Sequence, residues 1–283
     1  MLTFLLKKIA NGSKNSRVFK KIYGYLESLF RIFDSRATRL EKNCLMIPSS
    51  RLRYGGQRSL TEYVHTIGIF QTLLYIYLKN NENAYILDFG CGTGKLLISC
   101  LPFLGRYYGV DTSETDINKC KKNYNIKNCD FYHISALNDL YNIDGAIVSD
   151  SIWPVKDESM DAVIACSVFT HLNEKDALFY MDLISKKLKS GGCAILTFFL
   201  LDKYYDLNKI NETRWKFDLL YPGSDNWYYP SYLKIPESQI GIDEKGIKKL
   251  LGDKLFIQKI VNGSWKNNGT GLFFQDIIIF RKK

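Results

Sequence analysis

Only three histidines (His65, His133 and His171) occur in 283 residues, and no two of the seven cysteines stand in a Cys-x-x-Cys pair. The first scarcity leaves few candidates for imidazole chemistry. The second removes the ligand spacing of a zinc site. Several of the cysteines fall within apolar stretches, which reads as buried free thiols in a reducing compartment. No apolar run approaches the ~20 residues needed to span a bilayer. Leu2 to Leu6 is too short for a signal-peptide core and has no basic stretch before it. Repeats, low-complexity tracts and proline-rich linkers are also missing, so the chain reads as one full core, or one domain with an extension.

Charge is present but uneven. The net charge is +10. Residues 1–53 hold twelve Lys/Arg against three Asp/Glu, whereas 54–283 hold 27 against 26. The basicity therefore belongs to an N-terminal extension over 1–53, and 54–283 is the expected catalytic domain. Within the extension Phe19, Ile22, Tyr23, Leu26, Leu29, Phe30 and Phe33 recur at helical spacing, with Arg17, Lys20, Lys21 and Arg31 largely elsewhere on the wheel. Such a face can pack on the core or a second subunit, lie on an anionic membrane surface, or, less favourably, meet nucleic acid. A near-neutral 54–283 argues against a phosphate track.

The most informative stretch is Ile86-Leu87-Asp88-Phe89-Gly90-Cys91-Gly92-Thr93-Gly94-Lys95. An apolar strand leads into a glycine turn and the expected start of a helix over 94–102, an arrangement that brings backbone close to an anionic ligand. The glycine spacing is G-x-G-x-G. The dinucleotide fingerprint would need its third glycine at Lys95, which sets a nicotinamide oxidoreductase aside. The next strand ends Tyr107-Tyr108-Gly109-Val110-Asp111, with an acid placed to accept ribose hydroxyls.

Here the chain resembles the class I S-adenosylmethionine-dependent methyltransferases. Two further elements follow in order: Met160 to Leu172, similar to the family's fourth strand and its loop, and Leu188 to Thr197, similar to its helix, turn and fifth strand. The resemblance covers about 86–201. It implies a Rossmann-like α/β fold: a mainly parallel seven-stranded sheet with an antiparallel last strand, helices on both faces, and the N-terminal helical extension. Strands are expected near 84–89, 106–111, 129–134, 160–166 and 193–200, with helices near 113–122 and 173–188. A long helix should run from Ser59, with Glu62 completing a capping box, to about Lys79. The core would cover 84–201 and an aromatic insertion 202–240. Asp243 should open a short helix, and closing strands should lie within 255–280.

The resemblance also implies a cofactor, S-adenosylmethionine, and its contacts. Gly90, Cys91, Gly92 and Gly94 would pass beneath the methionine part, Asp88 would face its ammonium, and Asp111 with Thr112 would hold the ribose. Ser167, after the fourth strand, would complete the site. Ser135 stands where the family often has an acid against the adenine amino group, with Ala136 beside it. Asn138, Tyr141-Asn142, Gly145, Trp153-Pro154, Gly263-Ser264-Trp265 and Gln275-Asp276 resemble a subgroup of bacterial methyltransferases. An Arg expected shortly after Gly-Ser-Trp is replaced by Lys266-Asn267-Asn268.

Methyl transfer relies on positioning in a dry pocket. An alcohol acceptor also calls for a general base, worth about 10²–10⁴-fold. His171 is the first candidate and Asp202 the second, although His171 could equally make a structural hydrogen bond to its loop. His133 reads as packing near the adenine. His65, Trp227 and Tyr228 are candidate substrate contacts, with Trp215, Phe217, Tyr221 and Tyr229 forming a lid, a wall, or the core of an insertion. No metal is expected. The leading expectation is methyl transfer, at oxygen, to a small molecule or a glycan. Its rivals are a non-catalytic cofactor-binding or scaffold protein and a nucleic-acid or protein methyltransferase; base-amine enzymes carry an Asn/Asp-Pro-Pro-aromatic turn where Cys166-Ser167-Val168-Phe169 stands. A cytoplasmic location is expected, with peripheral contact at the inner membrane face through 1–53 as an option.

Overall fold

The computed structural model describes residues 47, 59–78, 81–134, 153–210, 215–266 and 271–283. The expected amphipathic stretch in 1–53 and the segment from Ser135 to Tyr141-Asn142 and Gly145 lie outside the described residues. Two compact units are distinguished, Met1–Gly68 and Ile69–Lys283.

Helix α1 (Leu60–Tyr77) starts where its capping box predicts: the Glu62 N–H donates to the Ser59 hydroxyl at 3.2 Å. Strand β1 (Ala84–Phe89), helix α2 (Leu97–Cys100), β2 (Leu104–Asp111), α3 (Glu114–Asn123), β3 (Cys129–His133), β4 (Met160–Ala165), α4 (Glu174–Lys187) and β5 (Leu188–Leu201) then alternate. Parallel pairing of β1 with β2 and β4, of β2 with β3 and of β4 with β5 makes the order 3-2-1-4-5. Side chain caps fix the helix starts: Ser113 accepts from Asp116, Asn173 from Asp176 and Asp243 from Gly246.

Helix α5 (Glu244–Leu251) leads to β9 (Leu255–Val261) and β10 (Asp276–Lys282), and β10 runs antiparallel to both β5 and β9. This completes the expected seven-stranded sheet. Three short strands extend it: β6 (Leu219–Leu220), β7 (Trp227–Tyr229) and β8 (Gly241–Asp243), joined to β5 through Phe199–Leu201. The first two come from the aromatic insertion, whose pattern carries no strand period, and β8 follows it directly.

Strict alternation divides the core. Ala162, Ile164, Ile277 and Ile279 face one layer with Phe70, Leu97, Ile117 and Cys120; Val163, Ala165, Ile278 and Phe280 face the other with Tyr180, Ile184, Ile247 and Leu250. A sheet buried on both faces explains the nearly unbroken apolar strands. Helix α2 is shorter than expected. It occupies four residues and passes into a 3₁₀ turn, Leu101–Phe103, because Pro102 has no N–H with which to continue an α-helix.

Candidate active site

The C-terminal ends of β1, β2 and β4 converge. Gly90, Gly92 and Gly94 have φ of 72°, 51° and 80°, a region that L side chains enter at a cost, which is why three glycines recur here. The turn is anchored from behind by the Gly90 and Cys91 N–H groups, which donate to the Val110 carbonyl at 2.8 and 3.1 Å. A Cβ on Gly90 would stand 2.4 Å from Val168 Cγ2, so the β1 and β4 turns touch there. A Cβ on Gly94 would meet the Tyr124 ring at 2.6 Å, whereas one on Gly92 would meet no described atom within 4 Å. Gly92 therefore presents bare backbone to open space.

Asp111 closes the other side. Its carboxylate accepts from the Gly92 N–H at 2.7 Å and the Ser113 N–H at 2.8 Å. Burial pushes its pKa up, and the main-chain donors of Ser113, Gly92 and Thr112 oppose that shift. Asp88, 1% exposed, lies under the loop. Its Oδ2 accepts from the Tyr107 hydroxyl at 2.7 Å, and its Oδ1 has no hydrogen-bond partner among the described residues. Burial raises its pKa to about 7, against the opposing Tyr107 hydrogen bond. Cys91 is buried, and the Cys120 thiol donates to the Gly92 carbonyl at 3.3 Å.

Ser167, at the tip of β4, is a non-glycine residue with φ of 62°. Its N–H donates to Thr197 Oγ1 at 2.7 Å and its hydroxyl to Gln275 Oε1 at 3.0 Å, which hold the strained turn in place. Residues 87–196 match the family model described as a methyltransferase domain. The match supports an S-adenosylmethionine-dependent methyltransferase. The chain shares its fold with a protein from Pyrococcus horikoshii (18% identity, 78% of this chain and 92% of that chain, TM-score 0.52). Another similar structure is magnesium protoporphyrin IX methyltransferase from Synechocystis with bound S-adenosylhomocysteine (17% identity, 91% of this chain and 100% of that chain, TM-score 0.52).

The residues gathered here fit S-adenosylmethionine chemically. Bare backbone at Gly92, an acid at the tip of β2 and an orphaned buried carboxylate oxygen on Asp88 match a ligand with a ribose and an ammonium. Of the residues read from sequence, Asp88, Gly90, Cys91, Gly92, Gly94, Asp111, Thr112 and Ser167 lie at these three strand ends. Ser135 and Ala136 lie outside the described residues. His133 ends β3 opposite Asp111 and is exposed.

His171 closes the 3₁₀ turn Phe169–His171 after Ser167. Its Nδ1 is 2.9 Å from the Glu237 carbonyl, and burial lowers its pKa below the ordinary imidazole value. The ring is thus neutral near pH 7. Asp202, past the end of β5, lies 2.9 Å from the Lys266 ammonium, which also lies 2.9 Å from Asp276. Trp227 is 0% exposed in the core beside α5, and Tyr228 is half-buried in the satellite cluster around Phe199, Phe217 and Trp265. His65 is an exposed residue of α1 within the Met1–Gly68 unit.

The supporting roles of three residues escaped sequence reading: Tyr107, Gln275 and Lys266. Tyr107 had a legible signal. Asp88 pairs with Gly109, which has no side chain, so the tyrosine two residues earlier on the same strand face can reach the carboxylate. The roles of Lys266 and Gln275 depend on long-range pairing and leave no local pattern.

Proposed function

We propose that this methyltransferase transfers a methyl group to an oxygen of a small-molecule or glycan acceptor. When bound, S-adenosylmethionine supplies an activated methyl group on a sulfonium. Asp88 would take its ammonium, Asp111 and Thr112 its ribose, and the turn from Gly90 to Gly94 with Cys91 would pass beneath its methionine part; Ser135 and Ala136 remain the expected adenine contacts. His171 is the proposed general base, and it is the observation that favours oxygen. A neutral imidazole whose Nδ1–H donates to the Glu237 carbonyl carries its basic lone pair on Nε2. Asp202 suits that task less well, because its carboxylate is taken up by the Lys266 ammonium 2.9 Å away.

The glycan preference is supported by aromatic residues near the end of β5. Tyr204 and Tyr232 are exposed and Tyr228 half-buried, faces on which a sugar ring can stack. Peripheral contact with an anionic membrane through the basic segment 1–53, giving access to lipid-linked acceptors, belongs to the same proposal. No helix among the described residues is long and apolar enough to cross a membrane.

Calorimetric titration of S-adenosylmethionine into wild type and Asp111→Ala tests the site. Micromolar binding that the variant loses supports it; equal binding by both removes Asp111. Release of S-adenosylhomocysteine on incubation with nucleotide sugars, lipid-linked saccharides and simple phenols then tests the acceptor class. Turnover on phenols alone would overturn the glycan preference.

A further inference from the structure

The environment of Asp88 goes beyond the proposed cofactor contact and rests on it. Asp88 ends β1 with its two oxygens in different situations. Oδ2 is occupied by Tyr107, whose hydroxyl is itself fully buried; Oδ1 is buried and unpartnered beneath the glycine turn. The groups facing it come from four directions. Tyr107 and Asp111 lie on β2, Cys91 and Lys95 in the turn, Cys100 at the end of α2, and Cys166 after β4. Lys95 is the only cation among them and favours the ionised form, while Asp111 opposes it.

We propose that Tyr107 is a positioning residue that turns the free oxygen of Asp88 towards the cofactor's ammonium, and that Asp88 holds a proton in the free protein which leaves when that ammonium binds. An unpartnered carboxylate oxygen sealed from water is costly when charged and tolerable when protonated. An ammonium brought against it reverses that balance. The proton leaves for solvent and an ion pair replaces the neutral acid, so no charge is stranded. With the group titrating at about 7, the apparent affinity for an amine-bearing ligand should fall about tenfold for each pH unit below that value, because only the ionised fraction is competent. Above it the dependence should flatten.

The test is a proton inventory by calorimetry. S-adenosylhomocysteine is titrated into the full chain in phosphate and in imidazole, whose ionisation enthalpies differ. The expected result is close to one proton released per ligand at about pH 6, falling towards none by about pH 8. 5′-Methylthioadenosine keeps the nucleoside but lacks the amino acid, so it should release none at either pH. Asp88→Asn should abolish the release. Tyr107→Phe removes the hydrogen bond that favours ionisation, so it should keep the release but move its pH range upwards. A purely structural tyrosine would change stability and leave that range in place. Tight binding of S-adenosylhomocysteine without proton release, or equal release on 5′-methylthioadenosine, overturns the proposal while leaving the cofactor site intact. No binding of either ligand by folded protein overturns both.

Discussion

Gly92 separates the two reasons for which a glycine is kept. Its φ is 51°, and a Cβ built there meets no described atom within 4 Å. Alanine in the left-handed region costs about 1–2 kcal/mol. The loss of a flexible glycine from the unfolded chain offsets about 0.4–1 kcal/mol of that. Gly92→Ala should therefore destabilise by at most about 1.5 kcal/mol, a few degrees in Tm for a domain of this size. Gly223 has φ of 78° and equally open surroundings, so Gly223→Ala should show a similar stability loss. The two variants should part on ligand binding. If the cofactor lies over the turn, the new methyl projects into its space, and affinity for S-adenosylmethionine should fall at least about tenfold, or ~1.4 kcal/mol, in Gly92→Ala only. Thermal melts and calorimetry on both variants read the two effects separately. Wild-type affinity in folded Gly92→Ala would refute the placement of the ligand over bare backbone at that residue.

Other outcomes follow from the surrounding contacts. His171→Ala should lower turnover at least about tenfold, within the range for a general base, with little change in cofactor affinity; unchanged turnover at saturating acceptor removes it from the mechanism. Lys266→Met should destabilise by about 3–5 kcal/mol, the usual result of removing one partner from a buried ion pair, because Asp276 and Asp202 lose the cation between them. Adding Asp202→Asn should recover part of that loss in a denaturant titration, and a fully additive double variant would show that the two side chains do not interact. Asp88 has a raised pKa of about 7. The linked stability is fully present below the ordinary carboxylate value and is lost as pH rises through about 7. Asp88→Asn should flatten that slope in a pH series of thermal melts, and an unaltered slope would assign it to other groups.

The parts of the fold that were legible in the sequence are those where local chemistry and tertiary packing agree. Ser59 and Asp243 cap their helices as the pattern of their neighbours foretells, and the doubly buried strands β1, β4 and β10 read as apolar runs because both faces need them. The glycine turn between β1 and β2 was equally legible, since Asp88, Gly90, Gly92, Gly94 and Asp111 lie within neighbouring strand ends. Helix α2 was overextended because apolar periodicity continues through Leu101 while Pro102 ends the hydrogen-bond ladder. The insertion gave no strand signal. Its short strands satisfy backbone groups by pairing with each other and, through β8, with β5 rather than by any pattern of their own.

The contacts around Ser167, Asp202 and Asp276 were the least legible, and for a physical reason. They act across the sheet. Ser167 on β4 is held by Thr197 on β5 and Gln275 before β10. Asp276 takes the Leu200 and Gly263 N–H groups and the Trp265 indole at 2.7–2.9 Å. Lys266 then joins that carboxylate to Asp202. None of these pairs is near in sequence, and none has a spacing rule. The contacts of Gln275 with Ser167, of Asp276 with Leu200 and of Lys266 with Asp202 depend on β10 running antiparallel beside β5. A substitution in the 262–276 hairpin should therefore alter the β4 turn without touching it. Gln275→Leu removes the acceptor for the Ser167 hydroxyl and leaves the strained φ supported only by Thr197. We expect its effect on the environment of Ser167, read as amide shifts of Ser167 and Val168, to exceed its effect on Tm. Unmoved shifts at both residues would mean that Thr197 alone holds the turn.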